Sequence, residues 1–174
     1  MRGAFTVGET CARPLAIVAV LAAGAGIPAC QRAEAAFDAD AIVAMERAAL
    51  DRWGKGDPQG YVEIMAPEIT YFDPVHEKRI DGLAAMKEML APIAGKISVS
   101  RFDMIAPRVQ HHGDVALLTF NLVSYQRQAD GSEKAVARWN STETYARVDN
   151  EWRIIHSHWS FTKPELKNPP AGPQ

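Results

Sequence analysis

Apolar positions fall at helical spacing early in the chain and alternate later, and that change predicts the order of elements. Ile42, Met45, Ala49 and Trp53 recur at i, i+3, i+7 and i+11, one stripe of an amphipathic helix, with Glu46, Arg47 and Asp51 off it. Asp38 and Asp40 favour the start of this helix by capping and by the helix dipole, and Gly54 is its stop. Asp57-Pro58 opens a second, shorter helix with proline at the first position; Tyr61, Ile64 and Met65 form its apolar side and Pro67 ends it. Residues 69–74 read as a short strand, with Ile69, Tyr71 and Asp73 on one face. A third helix is predicted over about 81–90, with Leu83, Met86 and Leu90 on one side and Pro92 and Gly95 beyond its end.

From residue 97 onward the pattern is that of strands. Residues 97–109 form one segment interrupted by Pro107, which suits an edge or a bulge. His112-Gly113-Asp114 makes a turn into an apolar, β-rich run over 115–125. Asp130-Gly131 is a hairpin signal, and residues 135–148 and 152–161 form a further hairpin across Asp149-Asn150. Two helices, a strand, a helix and four strands in antiparallel succession predict an α+β domain: a curved antiparallel sheet wrapped as a cone on three N-terminal helices, its open end a natural pocket.

Composition agrees with a folded domain. Of 174 residues, 47% are hydrophobic and 23% charged, and the net charge is −2. This excludes a disordered or collagen-like chain and gives no basic surface for nucleic acid. The first residues read as an address. Residues 14–29 carry no charge and follow Arg2 and Arg13, the pattern of a secretory signal, and the run is shorter than the ~20 residues of a membrane-spanning helix. It ends Ile27-Pro28-Ala29-Cys30, which resembles a bacterial lipobox with Cys30 lipidated as the first mature residue; a rival cut follows Ala33-Glu34-Ala35. The chain is thus divided into a signal (1–29), a tether (30–37), a domain (38–163) and a proline-rich disordered tail (164–174). The expected location is periplasmic, membrane-bound only through a lipid anchor, or else secreted. Both cysteines, Cys11 and Cys30, precede the domain, which excludes disulfides and thiol chemistry within it.

Residues 140–145, Asn-Ser-Thr-Glu-Thr-Tyr, lead through a turn to Trp152-Arg153-Ile154-Ile155-His156-Ser157-His158-Trp159-Ser160. This hairpin resembles the closing hairpin of the nuclear transport factor 2-like superfamily, most of all its SnoaL-like branch and the association (hub) domain of calcium/calmodulin-dependent protein kinase. Residues 69–74 followed by Asp81-Gly82, and residues 107–113 leading into the apolar strand, fit the same pattern; together the likeness spans about 40–163. It implies a conical, cystatin-like fold, a homodimer or larger homo-oligomer, and a pocket between sheet and helices. Relatives include isomerases, cyclases and dehydratases as well as proteins that only bind or assemble. The hub pocket is expected to be arginine-rich, whereas the comparable strands here carry Leu122 and Glu143.

The resemblance implies that a pocket carboxylate serves as base and a phenol polarises a carbonyl, which assigns Asp73 and Tyr71 as candidate catalytic residues with His158 as a further donor. The competing reading of Asp73 is a cap on the turn made by Pro74. Period-two alternation puts His156, His158 and Ser160 on one face of the last strand with Trp152 and Ile154, and Asn140 and Thr142 on the matching face of its neighbour. The candidate ligand-binding set is therefore Tyr71, Asp73, Asn140, Thr142, His156, His158 and Ser160, with His156 also open to a structural pairing between strands. Trp139, Ser141, Glu143 and Tyr145 take the opposite face, where Trp139 and Trp159 meet on an outer, self-associating surface; alternatively a bulge turns Trp139 into the pocket. His111-His112 and His156-x-His158 lack a carboxylate at a recognised zinc spacing, so no metal is expected, and no cofactor is implied. The expected function is binding of a small organic molecule with self-association through the sheet; the alternatives are an isomerase, cyclase or dehydratase, or a scaffold without ligand.

Overall fold

The computed structural model describes residues 37–162. The signal, Cys30, the rival cut after Ala35 and the proline-rich tail lie outside the described residues. Helix α1 (Ala39–Gly54) begins where Asp38 accepts hydrogen bonds from the backbone N–H groups of Asp40 and Ala41. Short α2 (Gln59–Val62), strand β1 (Met65–Phe72), a two-residue β2 (Ile80–Asp81) and α3 (Leu83–Leu90) follow, and a 3-10 turn covers Ala91–Ile93. Four long strands complete the domain: β3 (Arg101–His112), β4 (Val115–Arg127), β5 (Glu133–Val148) and β6 (Glu151–Phe161). They build one six-stranded curved sheet in the order β2-β1-β6-β5-β4-β3. Among the described residues, no helix is long and apolar enough to cross a membrane.

The helices and the four-strand meander fall where the pattern predicts them, and the main difference lies in the first strand. Strand β1 starts at Met65, inside the segment assigned to the second helix, and pairs in parallel with β6. Pro67 is accommodated because the β1–β6 register shifts between Met65 and Thr70, so the missing N–H falls in an irregularity. In β3, Pro107 likewise sits in the register shift between Ile105 and Arg108, beside Ala106 at φ 48°. The Asp149-Asn150 turn has both residues at positive φ, 50° and 68°, which matches the twist of the β5–β6 hairpin.

The core lies between α1 and the concave side of the sheet, where Ile42, Ala49, Ala116, Leu118, Tyr145 and Ile154 are all buried. Gly54 lies where the end of α1 passes close to β3 and the segment before it: a Cβ there would meet Phe102 at 2.9 Å and the Val99 carbonyl at 3.1 Å. Its role is thus clearance as much as helix termination. Phe37 stacks on His111 with centroids 3.8 Å apart and packs edge-on to Trp152, fastening the start of the described chain at the hairpin end of the sheet.

Candidate functional site

Beyond this solid half the cone is hollow. A cavity of about 530 Å³ opens between α3, the ends of α1 and α2, and the far half of the sheet. Its walls are mainly apolar: Met65, Met86 and Met89 on one side, Leu122, Trp139 and Trp159 on the other. Thioethers are deformable and make such a wall adaptable to shape. Among the described residues, no lysine or arginine lines it. Polar groups enter from Tyr61, Tyr71, Asp73, His76, Ser124 and Ser157.

Cross-strand register explains which side chains face inward. Tyr71 pairs with Ser157, Ser157 with Glu143, and Glu143 with Leu118, so these four form one row on the concave face. Phe72, His158, Thr142 and Thr119 form the next row, which the pleat directs outward. The row of Ser160, Asn140 and Asn121 also faces outward; there Asn121 donates to the Asn140 side-chain oxygen at 2.8 Å.

The structure therefore divides the sequence-predicted set. Tyr71 and Asp73 line the cavity; Asn140, Thr142, His156, His158 and Ser160 do not. Asn140 and Thr142 face outward because they alternate along β5 with the buried Ser141, Glu143 and Tyr145; for the residues of β6 the reason is one bulge. Ile154 is fully buried on the concave side, as its apolarity demands, but the β5–β6 register shifts between Thr144 and Tyr145, leaving Ile155 as an extra residue. Parity is reversed beyond it, so Ser157 and Trp159 turn inward and His156 and His158 outward. His156 is paired structurally: its Nδ1 lies 2.8 Å from the Thr70 hydroxyl on the adjacent strand, and its pKa is lowered by burial and by neighbouring His158. Trp139 and Trp159 do meet, edge-on at 6.1 Å, but inside the cavity rather than on an outer surface. Trp139 therefore enters the pocket, as the alternative had it, but by plain alternation with the buried Ser141, Glu143 and Tyr145 and without a bulge between them.

Two buried carboxyls stand behind the cavity wall. Glu46, set off the apolar stripe by its charge, is fully buried on the inward face of α1. It accepts hydrogen bonds from the hydroxyls of Tyr61 (2.6 Å) and Tyr145 (2.9 Å), one to each oxygen. Burial pushes its pKa up to about 7 against the opposing effect of these two bonds. Glu143, also fully buried, accepts from Ser157 (3.0 Å) and Ser141 (3.3 Å) on one oxygen, while the other has no partner. Burial, and then the charge of Glu46, raise its pKa well above the ordinary value, which favours the neutral acid. The spacing Ile42, Glu46, Ala49, Trp53 contained the signal for Glu46, since i+4 lies on the stripe. Glu143 carried none apart from its parity with Tyr145.

Asp73 is the turn cap of its competing reading and also borders the cavity. It accepts from the backbone N–H groups of Val75 and His76, each at 2.8 Å, as a turn cap, and its side chain, only 8% exposed, borders the cavity. The His76 imidazole Nδ1 adds contacts of 2.9 and 3.0 Å to its two oxygens. Burial works to raise the Asp73 pKa, but these bonds outweigh it and hold the carboxyl below its usual value. Tyr71, beside it, is pushed up by burial and by the Asp73 charge, so its phenol keeps its proton. His76 was not foreseen; the signal was the Asp-Pro turn, which returns the third following residue to the carboxylate. Among the described residues, no group of three or more histidine, cysteine or acidic side chains is arranged to hold a metal ion.

A curved sheet folded over helices around a pocket defines the nuclear transport factor 2-like class of α+β domain. The model of the SnoaL-like domain matches residues 42–164, and the chain belongs to that family. No curated protein matches the sequence. Among solved structures, a candidate ketosteroid isomerase from Parabacteroides distasonis is 39% identical, with 71% of this chain and 87% of that one covered at a TM-score of 0.62. The association domain of calcium/calmodulin-dependent protein kinase II from C. elegans shares the fold at 18% identity, covering 70% of this chain and 93% of that one at a TM-score of 0.59. An NTF2-like protein of unknown function from Pseudomonas putida does so at 22% identity, with 70% and 84% covered at a TM-score of 0.59.

Proposed function

We propose that this protein binds a compact, largely apolar, uncharged organic molecule in the cavity. The observation that carries the reading is the contrast within the cavity: apolar walls with a polar strip, Tyr71 and Ser157, backed by the buried carboxyl of Glu143. An apolar body fills such a space while one neutral polar group is oriented by the strip. A carboxylate ligand would meet the Asp73 charge with no lysine or arginine among the described wall residues to offset it. The test is native mass spectrometry and thermal shift with matched pairs of bicyclic ketones and the corresponding carboxylic acids. The ketones are expected to bind and the carboxylates to bind at least roughly tenfold more weakly, a difference of about 1.4 kcal/mol. Leu122→Trp, which fills the cavity from its wall, is expected to abolish ketone binding; unchanged affinity in that variant would move the site elsewhere.

Two further parts of the reading concern assembly and location. Self-association through the outer sheet face is supported by the relatives named as association domains and by Phe72, 40% exposed beside His156 and His158. Multi-angle light scattering is expected to give a dimer or larger, and Phe72→Glu with His158→Glu a monomer; a wild-type monomer at all concentrations discards this part. Export with lipidation at Cys30 rests on the uncharged run at 14–29 and the residues that follow it. Mass spectrometry of the native membrane fraction checks it, and an unmodified N-terminus at Ala36 rejects the anchor.

A second reading, proton transfer of the isomerase, cyclase or dehydratase type, is favoured by the Tyr71–Asp73–His76 cluster at the cavity and by the likeness to the candidate ketosteroid isomerase. Asp73 suits the part of base poorly, because its hydrogen bonds stabilise the ionised form and weaken it as a proton acceptor.

A further inference from the structure

We propose that Ser157, oriented by Glu143 and Trp159, is a specificity-determining residue that only accepts hydrogen bonds, so that the apolar molecule taken by the cavity is one that donates to it through a hydroxyl group. This deepens the reading of the cavity as a ligand site and rests on it. The indole N–H of Trp159 can only donate, and it lies 3.1 Å from the Ser157 Oγ. Ser157 therefore accepts on that side. Its own hydrogen goes to the Glu143 Oε1 at 3.0 Å, where the Ser141 hydroxyl also arrives at 3.3 Å. With both hydroxyls directed at Oε1, a proton on this carboxyl sits on Oε2. The Ser157 oxygen keeps one lone pair, and Ser157 lines the cavity. Phe120 and Trp139 pack edge-on against the Trp159 ring, with centroids 5.6 and 6.1 Å away, and hold its N–H in place. Ser141, Glu143 and Ser157 are all buried, so bulk water does not compete for these hydrogens.

Neighbouring hydroxyls direct their hydrogens away from the cavity in the same sense. Tyr61, also on the lining, donates to Glu46 at 2.6 Å. The Tyr71 phenol, on the residue paired with Ser157 across the sheet, has its proton drawn to the Asp73 charge. Ser124 differs. It accepts from the Trp139 indole at 3.2 Å, and its hydrogen has no acceptor among the described residues. But Ser124 stands opposite Ala137, about 20 Å along β5 from Glu143, out of reach of a group that meets Ser157. A hydroxyl beside Ser157 makes a bond that a carbonyl cannot, because a carbonyl brings only lone pairs. Glu143 and Trp159 are positioning residues here, acting through the orientation of the Ser157 hydroxyl.

The experiment compares 2-tetralol with 2-tetralone, which share one bicyclic body, by saturation-transfer NMR titration on the full chain. Wild type is expected to bind the alcohol roughly tenfold more tightly than the ketone. Ser157→Ala is expected to remove that preference and to leave ketone affinity within about twofold. Glu143→Leu takes away the acceptor of the Ser157 hydrogen, which then turns to the ligand, so the order is expected to invert in favour of the ketone. Glu143→Gln, with its amide oxygen toward the two serines, is expected to restore the wild-type order, a rescue that packing alone does not produce. A ketone bound as tightly as the alcohol in wild type overturns the inference and leaves the cavity reading intact. A preference for the alcohol that survives Ser157→Ala, or an order unchanged in Glu143→Leu, also overturns it. Failure of both compounds to bind overturns the inference and the cavity reading together.

Discussion

Replacing Glu46 by glutamine is expected to raise stability by about 3 kcal/mol at pH 8 and by almost nothing near pH 4.5. Glu46 is fully buried and its pKa rises from 4.5 to about 7 on folding, chiefly through burial. Between these values the folded chain holds a proton that the unfolded chain has released. The unfolded state therefore binds fewer protons, and stability falls as pH rises through this window. The contribution of the neutral acid is present in full below the unfolded value and is lost by the time pH passes the folded one. Glutamine keeps an oxygen for one tyrosine hydroxyl and an amide for the other, without a charge to desolvate. At about three to four degrees of melting temperature per kcal/mol for a domain of this size, calorimetry should show a gain of roughly ten degrees at pH 8. Glu143 shifts in the same direction, so Glu143→Gln should act with the same sign. Equal effects of Glu46→Gln at pH 5 and pH 8 would show that the carboxyl is not desolvated in solution.

This carboxyl pair also marks how far the sequence could be read. Periodicity located α1, α3 and the four long strands, because each buries one face and repeats at its own period. The last hairpin was assigned correctly while its side chains were assigned to the wrong sides. Ile154 does face the core, and extending its parity by twos leads to His156 and His158. One extra residue, Ile155, breaks that count, and nothing in the local composition announces it. Glu46 was read as lying off the apolar stripe of α1, and Glu143 by alternation as lying opposite the histidine-bearing face. What holds Glu46 inside is long-range: Tyr145 comes from 99 positions away to bond it. Tyr71 and Asp73 were legible as cavity residues because period-two alternation puts both on one face of β1. His76, three residues further on, became a candidate only once the turn was seen to fold it back.

Truncating Leu118 is expected to cost far more than truncating Leu122, although both are leucines of β4 with less than 3% exposure. Leu118 stands in the solid half of the cone, opposite Glu143 and Val109 in the sheet and outside the cavity lining. Leu118→Ala removes methyl groups that are packed on all sides and leaves a void, so the loss combines a transfer and a cavity contribution of about 4 kcal/mol. Leu122 already borders the 530 Å³ space, and its outer atoms lack neighbours on that side. Leu122→Ala enlarges an existing void instead of creating one, and should cost about 2 kcal/mol. Urea denaturation with unchanged slopes measures both. The difference tests the central physical premise, since a cone that collapsed in solution would pack Leu122 as tightly as Leu118 and the two costs would converge. Saturating ketone should widen the cost of Leu122→Ala alone, because a bound apolar body supplies the contacts that its side chain otherwise lacks.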